Sequence, residues 1–247
     1  MDIADHAIRL NNVTYTYPQA SEPSLENLDL TIPSHSTIGL AGPTGRGKST
    51  TVDVILGLLT PQKGCLSIDG LEIDLSNLRS WQKIVGYVPQ NIFLSDQSVA
   101  ANIAFCVDLE LIDMKAVERG SRIANLHSFV TQKLQNGYAT LVGERGVRLS
   151  GGQRQRIGIA RAVYHSPQVL ILDEATNSLD NPTEKIVMEA VNNLGESTTI
   201  IIVAHRLTTV QKCNIIYLFE NGQIKDAGTY DELKATNTSF QEMIKAM

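Results

Sequence analysis

A short apolar stretch, TIGLA at 37–41, runs straight into the glycine-rich GPTGRGKS of 42–49, and a mostly apolar segment over 48–59 follows. Strand, glycine turn and helix in that order constrain the fold more than any other feature of these 247 residues. The turn satisfies GxxxxGK[ST] through Gly42, Gly47, Lys48 and Ser49. Main-chain N–H groups of such a loop, with the helix N-terminus behind them, make a cradle for phosphate oxygens. Lys48 would reach the β- and γ-phosphates of a nucleotide, and the Ser49 hydroxyl would ligate Mg²⁺. A glycine turn with an incidental lysine is the plainer alternative. It loses weight because a strand precedes the loop and a helix follows it.

Bulk properties narrow the class. A net charge of −5 gives no nucleic-acid footprint, which would show as a basic domain or stripe. Arg145, Arg148, Arg154, Arg156 and Arg161 cluster, but among glycines and apolar residues, which reads as a solvated helix face with a few buried ion pairs. Cys65, Cys106 and Cys213 are odd in number and widely spaced, so neither a disulfide framework nor a zinc site is implied. The longest apolar runs, near 54–59 and 199–204, are too short to span a bilayer. The N-terminal MDIADHAIRL has no signal-peptide apolar core. The expectation is a soluble, cytoplasmic chain.

Along the chain, 13–17 and 28–32 alternate as short strands stopped by Pro18 and Pro33, predicting a small antiparallel layer. The helix over 48–59 is expected to end at Thr60-Pro61. Residues 66–68 with Asp69-Gly70 read as a strand and turn, and Asn221-Gly222 as a hairpin turn. From 98 to about 165 helical spacing dominates, through Met114, Val117, Ile123, Ala124 and Leu126. The continuous apolar runs at 169–172, 199–204 and 215–219 suit central parallel strands covered on both faces. Thr229 and Glu232 form a capping box before a last helix. The fold class expected is α/β: a three-layer phosphate-loop (RecA-like) core, an N-terminal antiparallel β layer and an inserted helical subdomain. The core and β layer would take 1–90 and 166–247, and the helical subdomain 91–165, in a single domain spanning 1–247.

Further motifs carry chemistry. The apolar strand at 169–173 ends in Asp173, as expected for a direct or indirect Mg²⁺ partner, and Glu174 follows, able to orient or deprotonate an attacking water. The plainer alternative is that the two begin a solvated loop. LSGGQ at 149–153 contains an S-x-x-Q capping box, Ser150 with Gln153, ahead of a helix running to about 164. Capping does not need Gly151 and Gly152, and each glycine in a helix costs roughly 1 kcal/mol. Their presence implies a close approach to the backbone, an anion at a helix N-terminus being the natural candidate. Gln90 ends YVPQ, His205 follows the strand at 199–204, and Tyr17 sits in the β layer. Alone, these read as a surface amide, a structural histidine and a packing aromatic.

Taken together, GPTGRGKS, YVPQ, LSGGQ, LILDE and AHR, in that order, resemble the nucleotide-binding domain of ATP-binding cassette (ABC) transporters over essentially the whole length. The resemblance implies ATP and Mg²⁺ as ligands. Its phosphate loop runs from Gly42 through Thr44, Gly45, Arg46, Gly47, Lys48 and Ser49 to Thr50. It implies adenine stacking by Tyr17, and catalytic roles for Glu174, His205, Gln90 and Lys48. The metal ligands implied are Ser49, Gln90 and Asp173. The signature would be Leu149 with Ser150, Gly151, Gly152 and Gln153, and the D-loop Asn177 to Asp180, with Asp180 at the nucleotide. VGERG at 142–146, with Glu144, resembles the stretch that exporter-type cassettes use near their membrane domains.

The implied assembly is a head-to-tail dimer of two copies around two ATP molecules, closed by binding and opened by hydrolysis. It would drive a membrane-spanning exporter domain, fused or separate, at the cytoplasmic face of the cell (inner) membrane, without nucleic acid. Within exporters, LRSWQKIVGYVPQNIFLSD is most similar to bacterial lipid and lipid-linked oligosaccharide flippases. Three departures stand out. Arg46 occupies a position usually small, often serine; Ala101 and Cys106 replace the commoner Glu and Gly; and NSLD replaces SALD at 177–180. Two other classes compete. A soluble ABC ATPase acting on DNA or ribosomes usually carries a long coiled coil or two cassettes. A kinase-like phosphate-loop enzyme has no use for LSGGQ.

Overall fold

The structure, a computed structural model, describes residues 7–195, 197–204 and 207–245, excepting the Arg145 side chain. Its strands are β1 (Ala7–Tyr15), β2 (Leu25–Pro33), β3 (Thr37–Ala41), β4 (Lys63–Ile68), β5 (Leu71–Glu72), β6 (Val85–Val88), β7 (Val169–Asp173), β8 (Thr199–Val203), β9 (Ile215–Glu220) and β10 (Gln223–Gly228). Its helices are α1 (Lys48–Ile55), α2 (Leu78–Gln82), α3 (Val99–Ile103), α4 (Met114–Ile123), α5 (His127–Lys133), α6 (Gly151–Val163), α7 (Asn181–Asn192), α8 (Leu207–Val210), α9 (Tyr230–Thr236) and α10 (Thr238–Lys245). The architecture is mixed α/β with two sheets. Two compact units divide it, residues 1–85 with 195–247, and residues 86–194.

In the first unit an antiparallel sheet runs in the order β2-β1-β4-β5, the small layer expected. β1 begins earlier than the alternation at 13–17 predicts and stops at Tyr15, because a bulge interrupts its period. Ile8 and Leu10 pair with Ile32 and Leu30, then the register shifts before Val13 pairs with Leu28 and Tyr15 with Leu25. Asn12 takes a left-handed φ of +49° at the shift, and its N–H donates to Asp29. The extra residue returns Val13 and Tyr15 to the buried face that Ile8 and Leu10 occupy.

The same unit carries β10-β9-β3-β8. β3 pairs in parallel with β8 (Ile38 with Ile201, Leu40 with Val203) and with β9 (Ile38 with Ile215, Leu40 with Tyr217). β3 and β8 are buried along their whole length, which explains why they read as unbroken apolar runs. The Asn221-Gly222 turn, with φ of +51° and +74°, joins β9 to the antiparallel β10. Thr229 and Glu232 make the expected capping box, but on α9, which is followed by α10 and is therefore not the last helix.

α1 stops before the Thr60-Pro61 boundary expected for it. Gly57 N–H donates to Val54 C=O and Leu58 N–H to Asp53 C=O, the two bonds of a Schellman cap. Gly57 takes the left-handed φ of +68° that this cap requires. A glycine, not the proline, ends the helix. Trp81 of α2 is fully buried and its indole N–H donates to Ile55 C=O at the end of α1, 2.7 Å away.

In the second unit β7 neighbours β6, α3 and α4 pack with α6, and α5 packs with α4, with Ile103, Val117, Val130, Ile157 and Ile159 buried. The arginines here differ from the expectation of buried ion pairs. Arg154, Arg156 and Arg161 donate to the main-chain carbonyls of Leu149, Asn125 and Asn102. Burial lowers the pKa of Arg161, whose guanidinium also lies 4.4 Å from the centre of the Phe105 ring. Carbonyl acceptors satisfy these donors without burying a second charge.

Candidate functional site

The phosphate loop of the first unit is built by its glycines and by the helix behind it. Gly47 is the N-cap of α1 with φ of +98°, and no side chain caps the helix there. A Cβ at Gly47 would lie 2.8 Å from both Leu25 Cδ2 and Ser24 O, so the loop can pass only as glycine. The first turn of α1 therefore has no capping oxygen from an N-cap side chain, and a helix N-terminus without one is suited to an anion. Lys48 is 4% exposed, and its ammonium donates to Gly42 C=O at 2.7 Å and Pro43 C=O at 2.8 Å. Two carbonyls hold the cation at the loop, where phosphate oxygens compete well for it.

Ser49, Thr44 and Gly45 are exposed, while Thr50 is buried and shares a hydrogen bond of 3.3 Å with the Tyr17 hydroxyl. The Tyr17 ring, partly exposed, stands edge-on to Tyr15 with centroids 5.0 Å apart. That contact fixes its orientation and leaves a face for stacking. The Arg46 guanidinium donates to the Asn221 amide oxygen, and Gly222 N–H donates to Arg46 C=O at 3.3 Å. Arg46 therefore ties the loop to the β9–β10 turn, a role its sequence position does not reveal.

In the second unit Asp173 ends the fully buried β7 and is 8% exposed, and the Tyr87 hydroxyl lies 3.5 Å from its Oδ2. Glu174 follows with a left-handed φ of +51°. Gln90, just past β6, donates its amide to Glu174 Oε2 at 2.7 Å. The second donor on this oxygen is Asn177, at 2.8 Å. Sequence reasoning assigned Gln90 and Glu174 separately; the contact between them, and the part of Asn177, emerge only here. NSLD in place of SALD was the available signal, since asparagine brings an amide.

The signature segment is the N-terminus of α6. Ser150 and Gln153 make the complete capping box: Gln153 N–H donates to Ser150 Oγ at 3.2 Å and Ser150 N–H to Gln153 Oε1 at 2.8 Å. The two glycines have different reasons. A Cβ at Gly152 would sit 3.1 Å from Ser178 O, a close approach from within the chain. One at Gly151 would meet only ordinary contacts, the nearest at 3.6 Å. Beside them opens a cavity of about 320 Å³, lined by Ser150, Gly151, Gly152, Arg156, Asp180 and Thr183 among others. Asp180 caps α7 by accepting from Thr183 N–H at 2.9 Å, and hydrogen bonds from Thr183 lower its pKa. Burial lowers the pKa of Arg156, partly offset by the charge of Asp180. The cavity thus combines a helix N-terminus and a guanidinium, both suited to an anionic group, with the Asp180 carboxylate, whose charge opposes an anion and is engaged by Thr183.

His205 lies outside the described residues. The Ser49 hydroxyl in the first unit, and the Asp173 carboxylate and the Gln90 amide oxygen in the second, are each hard oxygen donors of the kind Mg²⁺ takes, and the Gln90 amide nitrogen is the atom that donates to Glu174.

Residues 25–177 match the family model described as ABC transporter. Over 229 residues, 92% of this chain, the sequence is 42% identical to ATP-binding cassette sub-family B member 10, mitochondrial, of Mus musculus, covering 32% of that protein. It is 38% identical over 245 residues, 99% of the chain, to the ATP-dependent lipid A-core flippase of Salmonella typhimurium, covering 42% of it. A solved structure described as a bacterial Atm1-family ABC exporter with ATP bound aligns with a TM-score of 0.92 at 29% identity, over 100% of this chain and 43% of that one. The chain spans less than half the length of these relatives.

Proposed function

The chain belongs to the ABC transporter family, and from that premise we propose that it is the ATP-hydrolysing cassette of an exporter. Two copies bind head to tail around two ATP molecules, and hydrolysis powers export or flipping of a substrate across a membrane. A membrane-spanning domain, fused or separate, carries the substrate path at the cytoplasmic face of the cell membrane. Likeness to the flippase favours a lipid-type substrate. No helix among the described residues is long and apolar enough to cross a membrane.

Each residue has a role in this reading. Lys48 exchanges the Gly42 and Pro43 carbonyls for phosphate oxygens, while loop N–H groups from Gly42 to Thr50 hold the rest of the phosphate chain. Tyr17 stacks on the base. Ser49, Asp173 and Gln90 would hold Mg²⁺, which would supply charge neutralisation on the phosphates. Glu174 takes the proton of the attacking water, and His205 contacts the γ-phosphate. Ser150, Gly151, Gly152, Gln153 and Asp180 face the nucleotide of the second copy. ATP favours the closed pair by binding it more tightly than the open one.

The observation that carries this reading is the cavity at the signature. A phosphate-loop enzyme that works alone has no need of a second glycine-lined helix N-terminus beside an arginine, distinct from its own loop. The test is the solution mass of Glu174→Gln with and without Mg-ATP, by light scattering behind a sizing column. We expect a monomer without nucleotide and a dimer with it. Gly151→Asp, whose carboxylate the fold tolerates in a site of ordinary contacts, should abolish the dimer and keep ATP binding. A Glu174→Gln monomer with ATP bound, or a dimer unaffected by Gly151→Asp, would refute the sandwich. ATPase activity stimulated by nucleic acid would favour the competing class of soluble ABC ATPases.

A further inference from the structure

Glu174 opens the turn after β7 in the left-handed region, with φ of +51°, where residues other than glycine are uncommon and are held by their surroundings. Two contacts hold it from Asn177, three residues on. The Asn177 main-chain N–H donates to Glu174 C=O at 3.2 Å, and its side-chain amide donates to Glu174 Oε2 at 2.8 Å. Gln90 donates to the same oxygen at 2.7 Å from a different segment of the chain. A carboxylate only accepts, so both amides present nitrogen to it. One carboxylate oxygen offers two lone pairs, and two amides at these distances fill Oε2.

We infer that Asn177 is a positioning residue for the hydrolytic step: with Gln90 it fixes the plane of the Glu174 carboxylate. The inference rests on the reading of Glu174 as the base. A single donor would leave the carboxylate free to swing about one hydrogen bond. Two donors from separate segments remove that freedom, and a general base works only when its oxygen is placed within hydrogen-bond reach of the water. Bonds to a charged acceptor are among the stronger ones in proteins. A serine at 177 carries its hydroxyl one bond nearer the backbone, too short to reach the same oxygen from the same main-chain position. The amide touches the base, so its loss should act on turnover and leave nucleotide affinity alone.

The test is steady-state ATP hydrolysis by the 247-residue chain and its variants, with binding of a fluorescent ATP analogue measured alongside. Asn177→Ala should lower kcat about tenfold, the size expected when one hydrogen bond to a charged group is lost, with KM for ATP unchanged within about twofold. Asn177→Ser should fall the same way. Asn177→Asp keeps the shape but sets an anion against the carboxylate, and should lower kcat further than alanine does. That ordering separates positioning from a structural role, because aspartate suits the turn as well as asparagine does. Asn177 is exposed, and its main-chain bond to Glu174 survives in every variant, so thermal unfolding should be little changed.

Wild-type kcat in Asn177→Ala or Asn177→Asp would overturn the inference, as would a rise in KM at unchanged kcat. Glu174→Gln separates the two layers. If it binds ATP without hydrolysis while the Asn177 variants turn over normally, the inference alone falls. If Glu174→Gln still hydrolyses ATP, or the wild-type chain does not, the assignment of Glu174 falls and the inference with it.

Discussion

The Arg46 guanidinium is bonded to the Asn221 amide oxygen, joining the phosphate loop to the tip of the last β hairpin. A cation that a nucleotide would attract is thereby held by a neutral partner. Asn221→Ala frees it while the Gly222 to Arg46 main-chain bond persists. ATP affinity should rise about two- to threefold in Asn221→Ala and fall by a similar factor in Arg46→Ser, since exposed charges contribute under about 1 kcal/mol. Both differences should shrink at high salt. Equal affinities in the three proteins, read by fluorescence titration, would show that the tether has no bearing on binding.

Lys48→Met tests the buried cation. Methionine fills the space but leaves the Gly42 and Pro43 carbonyls without the ammonium and removes its bond to phosphate. The expected loss is about 2–3 kcal/mol in transition-state stabilisation, read as the ratio of kcat/KM values. A loss of under about 1 kcal/mol would contradict a direct bond between the Lys48 ammonium and phosphate.

Gly57→Ala addresses the helix that supports the loop. The left-handed φ of +68° costs an alanine about 1–2 kcal/mol, and its Cβ would lie 2.2 Å from Leu78 Cδ1. Urea unfolding should show a loss of at least that size, with ATP affinity little changed because Lys48 lies at the opposite end of α1. Unchanged stability would mean that the Schellman cap is dispensable.

Cys213 gives the chain an alkaline limit. Burial pushes its thiol from 9.0 up to about 12, so the folded protein keeps a proton that the unfolded chain releases. Its contribution is full below pH 9 and is lost as pH rises toward 12. Stability in urea should decline across that window, and Cys213→Ala should flatten the decline. The exposed Cys106 should react with a thiol reagent in the native state, and Cys213 only on unfolding.

Elements whose signal is local were readable in advance. β3, β7 and β8 announce themselves as buried apolar runs, and the capping boxes at Ser150–Gln153 and Thr229–Glu232 are set by spacing alone. The end of α1 was misjudged because Thr60-Pro61 outweighed Gly57, although a glycine in the left-handed region ends a helix more directly. The start of β1 was missed because the bulge at Asn12 breaks the period that reveals strands. The phosphate loop, the signature and the LILDE segment were legible because phosphate chemistry demands particular residues at fixed short spacing.

What needed the tertiary structure are contacts between residues far apart in sequence. Arg46 with Asn221, Gln90 with Glu174 and Gly152 against Ser178 join separate segments, and their partners depend on how the strands order and how the turns close. Motif spacing records which chemistry the backbone offers within a few residues. Folding alone chooses which distant amide meets a carboxylate, because that choice is made by packing, and no period or composition encodes it.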